Sequence, residues 1–484
     1  MLDLRIGMST ENGEIKESLV VCQNNQGIEI RGSLLRLTRF AVVFEIYNPT
    51  IILRLSEVLS EFQIVVQDRT LYSGRAVIRS VVNAGLTVVC ETTLDEGSWR
   101  DVAFTAAKSG HGKLREEFAG FMHEWQKLYK VGSDYKLVIA DMQSFFMDLR
   151  LWLDQVELGI RSSPSADRLK LEQTVAEEAA EPVIGPMNVL FEKFEAVADR
   201  LEEELKPAHR SYMRRQLHSW VLSAPFAHRA FYKPLGYAGD YELVNMMARN
   251  AQEGGSLFAK VVNTWFLRQP PAQAHRNRIR YLVERLLMEA VRVSAAARDM
   301  RVFNVACGPA QEVQQFLIEQ PISAHTRVTL LDFNEETLQY TRNALNDKLA
   351  RHGRSATLQY IKKSVQNILK ESGRTVERSA QDQYDLVYCA GLFDYLSDQV
   401  CQRLMNIMYA WLAPGGLLIA TNVEPSNPLR HGMEHLLDWH LIYRTAAQLG
   451  ALKPQGVDAD SVSVSCDDTG VNVFIEVRKP GHAG

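Results

Sequence analysis

The segment VFNVACGPAQEVQQFL, residues 302–317, joins an apolar run to a helical pattern through a turn of small residues, Ala306-Cys307-Gly308-Pro309-Ala310. Such a turn lets backbone N–H groups and a helix N-terminus approach a ligand closely, because no bulky side chain stands in the way. The next apolar run ends in Leu331-Asp332-Phe333-Asn334, so Asp332 sits at the carboxyl end of a strand, where a carboxylate accepts from both hydroxyls of a ribose. A third run ends in Ser364-Val365-Gln366-Asn367, which sets a polar pair beside an adenine edge. A fourth ends in Cys389-Ala390-Gly391-Leu392-Phe393-Asp394-Tyr395, and Leu412-Ala413-Pro414-Gly415-Gly416 turns into a fifth. Together these strand ends predict a crevice for a nucleoside. A dinucleotide such as NAD needs the full glycine triplet for its pyrophosphate. Here alanine stands at the first and third positions, and Asn304 occupies the place where an acid is common. A nucleoside without a pyrophosphate therefore fits better, and the two alanines are expected to narrow the turn.

Other chemistry flanks this core. AHRNRIRYLVERL, residues 274–286, offers Arg276 or Arg278 as a planar fork for a ligand carboxylate. FYKPLGYAGDYELVNMM, residues 231–247, packs Tyr232, Tyr237, Tyr241 and two glycines into a helix-breaking stretch, which reads as a lid that excludes water. The loop after the fifth strand, NVEPSNP and then LRHGMEHLLDWHLIYRT, should overlie the strand ends; Tyr237, His431 and His435 are the expected donors to an acceptor oxygen. His431 and His435 lie four apart on one helix face but lack a third ligand, so no metal is expected.

These groups must be held by several domains. The chain has 484 residues, 46% hydrophobic, and 54 Lys plus Arg against 58 acids. That balance gives no general pull toward nucleic acid or an anionic membrane. Six dispersed cysteines without a C-x-x-C fit a reducing compartment, and neither a signal peptide nor a membrane span is legible, so a cytoplasmic protein is expected. Residues 1–103 alternate in short β-branched runs, which predicts a small antiparallel barrel of five to seven strands. Residues 104–182 read as a helical hairpin, with stripes at 118–129 and 137–156, followed by a polar linker over 162–182. Residues 183–274 read as a second helical, lid-bearing block. From 275 to 484 strands alternate with helices and end in a hairpin, giving a Rossmann-like α/β domain with a seven-stranded, mostly parallel sheet. A homodimer through the barrel or the helical connector is a further expectation.

The block at 270–480 resembles class I S-adenosylmethionine-dependent methyltransferases, on VACGPAQE, LLDFN, KKSVQN, DLVYCAGLFDYL and WLAPGG. The resemblance implies S-adenosyl-L-methionine as cofactor, with Ala306 and Gly308 at its methionine part, Asp332 at the ribose, Val365 and Gln366 at the adenine, and Cys389 and Ala390 at the sulfonium. Asn304, Cys307, Phe333 and Gly391 complete the expected contacts. The 231–247 stretch is similar to a signature of the extracellular-factor 3-hydroxypalmitic acid methyl ester biosynthesis family. That likeness implies O-methylation of a fatty-acid carboxylate to make a quorum-sensing ester. The barrel resembles a PilZ domain, in which Arg31, Arg36 and Arg39 supply cations; the D/N-x-S-x-x-G turn is missing, so a degenerate, structural barrel is expected and cyclic di-GMP is not expected to bind. The competing reading is a catalytically weak methyltransferase-fold scaffold or signalling protein whose barrel binds a nucleotide or a protein partner.

Overall fold

A computed structural model describes residues 19–47, 52–66, 69–83, 87–99, 131–371 and 383–481. The chain divides into two compact units: Met1–Ala238, Gln252–Trp265 and Leu429–His440 form the first; Gly239–Ala251, Phe266–Pro428 and Leu441–Gly484 form the second.

In the first unit six strands, β1 (Leu19–Gln23), β2 (Glu29–Leu37), β3 (Ala41–Ile46), β4 (Val58–Val66), β5 (Arg69–Asn83) and β6 (Val88–Leu94), close into an antiparallel barrel of order β1-β2-β3-β6-β5-β4. Alternate residues point inward, so Val20, Ile30, Val42, Phe44, Phe62, Ile64, Tyr72 and Ile78 fill the interior. Phe44, Phe62, Tyr72 and Trp99 pack edge to face in a chain, with centroids 5.8, 6.1 and 5.4 Å apart. Closure leaves no free edge. The expected barrel cations stand on its outside: Arg31 pairs with Glu29 at 2.6 Å and Arg36 lies 3.6 Å from Glu91.

The helices that follow are α1 (Ser133–Arg161), α2 (Ser165–Ala198), α3 (Lys206–Val221) and α4 (Pro225–Tyr232). The expected linker at 162–182 is corrected by α2, which runs through it. It is rich in Glu, Lys, Arg, Gln, Ala and Leu, all strong helix formers, so low aromatic content there marks an exposed helix rather than a coil. Lys206-Pro207 opens α3, where proline's missing N–H costs nothing. On α1, Val138, Met142, Phe146 and Leu149 are buried as the stripe predicts, whereas Leu137 is exposed. The stripe at 118–129 lies outside the described residues.

The remaining elements are α5 (Tyr241–Arg249), α6 (Leu257–Arg268), α7 (Pro270–Ser294), β7 (Met300–Val305), α8 (Gln311–Glu319), β8 (Thr326–Asp332), α9 (Glu335–Arg351), β9 (Thr357–Lys362), α10 (Val365–Glu371), β10 (Tyr384–Cys389), α11 (Asp398–Ala410), β11 (Leu412–Val423), α12 (Arg430–Leu436), α13 (Ala446–Ala451), β12 (Val462–Cys466) and β13 (Asn472–Arg478). Of these, α12 belongs to the first unit and the strands to the second. The sheet order is β12-β13-β11-β10-β7-β8-β9. Its five central and right-hand strands are parallel, and β13 inserts antiparallel between β11 and β12. Apart from single half-buried residues, β7 and β10 are buried along their length, as strands covered on both faces must be. Val302, Leu330, Leu386 and Ile419 meet Leu282, Leu286, Val313 and Phe316 in one core. Each such side chain contributes about 1.5–3 kcal/mol by leaving water. That core fixes the ends of β7, β8, β9 and β10 on one side of the sheet.

Candidate active site

The chain leaves β7 through a turn in which Ala306, Gly308 and Ala310 all adopt left-handed backbone, with φ of 57°, 51° and 49°. An alanine in that conformation costs on the order of 1 kcal/mol, from the crowding of Cβ against the carbonyl. The expected narrowing of the turn is therefore corrected: the alanines take glycine-like angles and the turn keeps its open form. The N–H of Cys307 donates to Leu331 O at 2.9 Å and Thr341 Oγ1 donates to Gly308 O at 2.7 Å, tying the turn to β8 and α9. A Cβ built on Gly308 meets no atom within 4 Å, so the turn faces open space.

Asp332 closes one side of that space. It is 5% exposed; Oδ2 accepts the N–H of Gly308 at 3.2 Å and Oδ1 accepts the N–H of Asn334 at 3.0 Å. Asn334, not Asp332, caps α9, its side chain accepting the N–H of Thr337 at 2.9 Å. Phe333 follows, half-buried. The N–H of Lys363 donates to Asp332 O at 2.9 Å, which carries β9 and then Val365 and Gln366, at the start of α10, to the same edge of the sheet.

Cys389 ends β10, and Ala390 and Gly391 follow it. Gly391 has φ of 89°, its N–H donates to Thr421 Oγ1 at 3.0 Å, and a Cβ there would lie 3.0 Å from Arg278 Nη1. The Arg278 guanidinium thus stands against the end of β10, where it also donates to His275 Nδ1 at 2.8 Å and faces Asp394 and Glu312. Arg276 behaves differently. It donates to Met247 O at 3.0 Å and Leu267 O at 2.9 Å, which ties α7 to α5 and α6 within the second unit. Of the two expected arginines, the structure brings only Arg278 to the strand ends.

Burial governs the ionisable groups here. It pushes the thiols of Cys307 and Cys389 upward, so both stay protonated and neutral, and it pushes His275 well below its usual range. Asp394 rises to about 6, burial outweighing the pull of Arg278 and of the Val423 N–H. Asn304, 2% exposed, donates to Glu312 at 3.0 Å, and Tyr388 Oη donates to the same carboxylate at 2.7 Å. The acid that β7 lacks at Asn304 is thus supplied by Glu312, in the first turn of α8. Sequence reasoning passed over Glu312, although it closes the VACGPAQE motif, and over Thr341, which only the fold brings to the turn.

The three expected acceptor donors fall in the first unit. Tyr237 is half-buried in the turn between α4 and α5, where Gly236 and Gly239 have φ of 80° and 71°. His435 is fully buried, and its Nδ1 lies 2.9 Å from Tyr135 Oη. Either group can donate, according to the tautomer of the ring, and burial holds the imidazole well below its usual pKa. His431 Nε2 lies 3.3 Å from Asp199, and the same desolvation lowers its pKa.

A seven-stranded sheet of this order, with an acidic strand end beside an open left-handed turn, defines a class I S-adenosylmethionine-dependent methyltransferase domain. Residues 302–416 match the family described as methyltransferase domain. No curated protein matches the chain. Among solved structures, a possible exported protein from Bordetella parapertussis is 17% identical over 66% of this chain and 100% of its own, with a TM-score of 0.41. Magnesium protoporphyrin IX methyltransferase from Synechocystis PCC 6803, with bound S-adenosylhomocysteine, is 12% identical over 49% of this chain and 93% of its own, TM-score 0.32. An O-methyltransferase family protein from Burkholderia thailandensis is 14% identical over 58% and 74%, TM-score 0.32. Likenesses this distant say nothing about the acceptor.

Proposed function

We propose that the protein is a cytoplasmic carboxyl O-methyltransferase that esterifies a 3-hydroxy fatty acid or a similar organic acid, as in the making of a quorum-sensing signal. The observation that carries the methyl-transfer part is the open space at Gly308, bounded by the Asp332 carboxylate, with the Arg278 guanidinium against Gly391 past the end of the neighbouring strand β10. S-adenosyl-L-methionine supplies a methyl group on a positively charged sulfur, and the charge vanishes as the group leaves. Asp332, already fixed by two backbone N–H groups, keeps lone pairs for ribose hydroxyls. Arg278 offers two parallel N–H bonds to the methionine carboxylate. Cys389 and Ala390, both neutral, line the sulfonium side without competing for the methyl group.

An acceptor carboxylate with a pKa near about 4.3 is ionised at neutral pH and needs no general base. That suits a second unit in which burial and hydrogen bonding tie up Glu312, His275 and both thiols. Holding the two reactants in line in a dry site then contributes on the order of 7–11 kcal/mol. The scaffold reading rests on the two alanines of the turn; their left-handed φ values, the ones glycine would take there, favour the enzyme reading over it. A specific observation favours one other acceptor: Asp394, raised to about 6, could take a proton from a hydroxyl. Purified protein with methyl-labelled cofactor and a panel of hydroxy fatty acids and dicarboxylic acids separates the two. A methyl ester releases labelled methanol in mild base; label that survives base belongs to an ether or amine and sinks the carboxylate reading.

A further inference from the structure

Outside the methyltransferase domain, the first unit contains a cavity of about 260 Å³ between β5, β6 and one face of α3. Arg75, Arg210, Arg214 and Arg215 line it, against Asp95 and Asp438. Four guanidinium groups thus face two carboxylates among the lining residues. His218, which also lines it, is held near 4 by burial and by Arg214, and is neutral.

The acids are not available to all four arginines. Asp438 is 3% exposed and accepts from Arg214 Nη2 at 2.9 Å, from Thr93 Oγ1 at 2.9 Å, and lies 3.1 Å from His440 Nε2. Burial works against its charge, but Arg214, His440 and Lys233 together hold it well below the carboxylate range. Asp95 is exposed. Two of the arginines are fixed by the ring of Phe231, with Arg75 Cζ 5.2 Å and Arg214 Cζ 5.6 Å from its centroid, and Arg75 Nη2 donates to Phe231 O at 2.9 Å.

Arg210 is the exception. It is 3% exposed, and its Nη2 finds no acceptor among the described residues. Asp438 and Glu434 act on it through space, and among the described residues its Nη1 lies 3.4 Å from His440 Nε2. That nitrogen lies closer to Asp438, and one ring nitrogen cannot donate to Asp438 and accept from Arg210 at once. Burial, then Arg79 and Arg214, lower its pKa to about 9, so it remains charged at neutral pH. A buried, charged guanidinium without an acceptor is costly to hold unless a ligand completes it.

We propose that this cavity is a binding site for a small phosphoryl dianion, held by Arg210 and Arg215 with the ring-fixed Arg75 and Arg214 around it. Four guanidinium forks around one cavity suit the several oxygens of a phosphoryl group better than the two of a monocarboxylate. The volume lies just below the range of roughly 300–1,000 Å³ usual for drug-sized ligands, which selects inorganic phosphate or a short phosphate monoester over a dinucleotide. The site is independent of the methyl-transfer reading.

Isothermal titration of the full chain with inorganic phosphate, and separately with ribose 5-phosphate, at constant ionic strength tests it. Saturable binding of either probe is expected, weakened at least tenfold by Arg210→Met and by Arg215→Glu; phosphate binding as tightly as the ester identifies the free ion, and a tighter ester identifies the monoester. Arg215 is not the buried group, so its variant gives a reading even where Arg210→Met folds poorly, and circular dichroism checks both. No saturable binding of either probe, or binding that both folded variants retain, overturns the proposal.

Discussion

Asp332 and Gly308 stand 24 residues apart in the chain, yet the carboxylate of the first accepts the backbone N–H of the second at 3.2 Å. One oxygen shapes the turn while the other is held by Asn334, so the group is oriented before any nucleoside arrives. Asp332→Ala removes the acceptor for two ribose hydroxyls. Hydrogen bonds to a charged group contribute about 1.5–3 kcal/mol each, so losing two should lower affinity for S-adenosylhomocysteine by at least about 150-fold. Calorimetric titration of wild type and variant checks this; equal affinities would remove Asp332 from the site.

Ala306 holds φ of 57° without the freedom of glycine. Ala306→Gly relieves about 1 kcal/mol of strain and costs somewhat less in chain entropy, so stability should stay level or rise by a few tenths of a kcal/mol, with cofactor affinity unchanged. Ala306→Val places a branched side chain in the same conformation and should lose at least about 2 kcal/mol. Urea unfolding of both variants measures the pair. A loss on Ala306→Gly would mean that the left-handed turn is not the native one.

In the second unit β7, β8, β10 and β11 were legible because buried strands read as nearly unbroken apolar runs, and β12, the edge, as a polar alternation. The strand-end residues were legible for the same reason, since a run's last residue is its carboxyl end. What was not legible depended on contacts distant in sequence. Arg276 and Arg278 are indistinguishable in a string, and only the packing of α7 sends one to carbonyl oxygens and the other to Gly391. His431 and His435 looked free to act because spacing reveals a shared face but not what lies against it; Tyr135 comes from α1 and Asp199 from the turn that ends α2. The 162–182 segment was misread because polarity alone does not separate an exposed helix from a coil.

Asp394 gives the second unit a pH signature. Its folded pKa near 6 exceeds the 3.8 of an ordinary aspartate because burial penalises the charge. The folded state therefore binds more protons than the unfolded state between those values, and stability falls as pH rises through that window. The full effect is on the order of 3 kcal/mol. Asp394→Asn removes it, so the stability difference between wild type and variant should shift in the variant's favour as pH goes from 4 to 7. Urea unfolding at pH 4.5 and 7 reads that difference; no change between the two conditions contradicts the burial of an ionisable Asp394.

Arg278 and Arg276 should separate by what each substitution spoils. Arg278 lies against Gly391 and faces Asp394 and Glu312, so its charge is aimed at the strand ends. Arg278→Met should weaken S-adenosylhomocysteine binding by about 2–3 kcal/mol, roughly 30- to 150-fold, through loss of the paired donors to its carboxylate. It should also push Asp394 above 6, because Arg278 is the main influence lowering that group. Arg276 spends its donors on the carbonyls of Met247 and Leu267. Arg276→Met leaves those oxygens without a donor and should cost about 2 kcal/mol of stability with little change in affinity for the folded protein. Parallel titration and thermal unfolding of the two variants give four numbers, and the assignment fails if Arg276→Met is the one that loses the ligand.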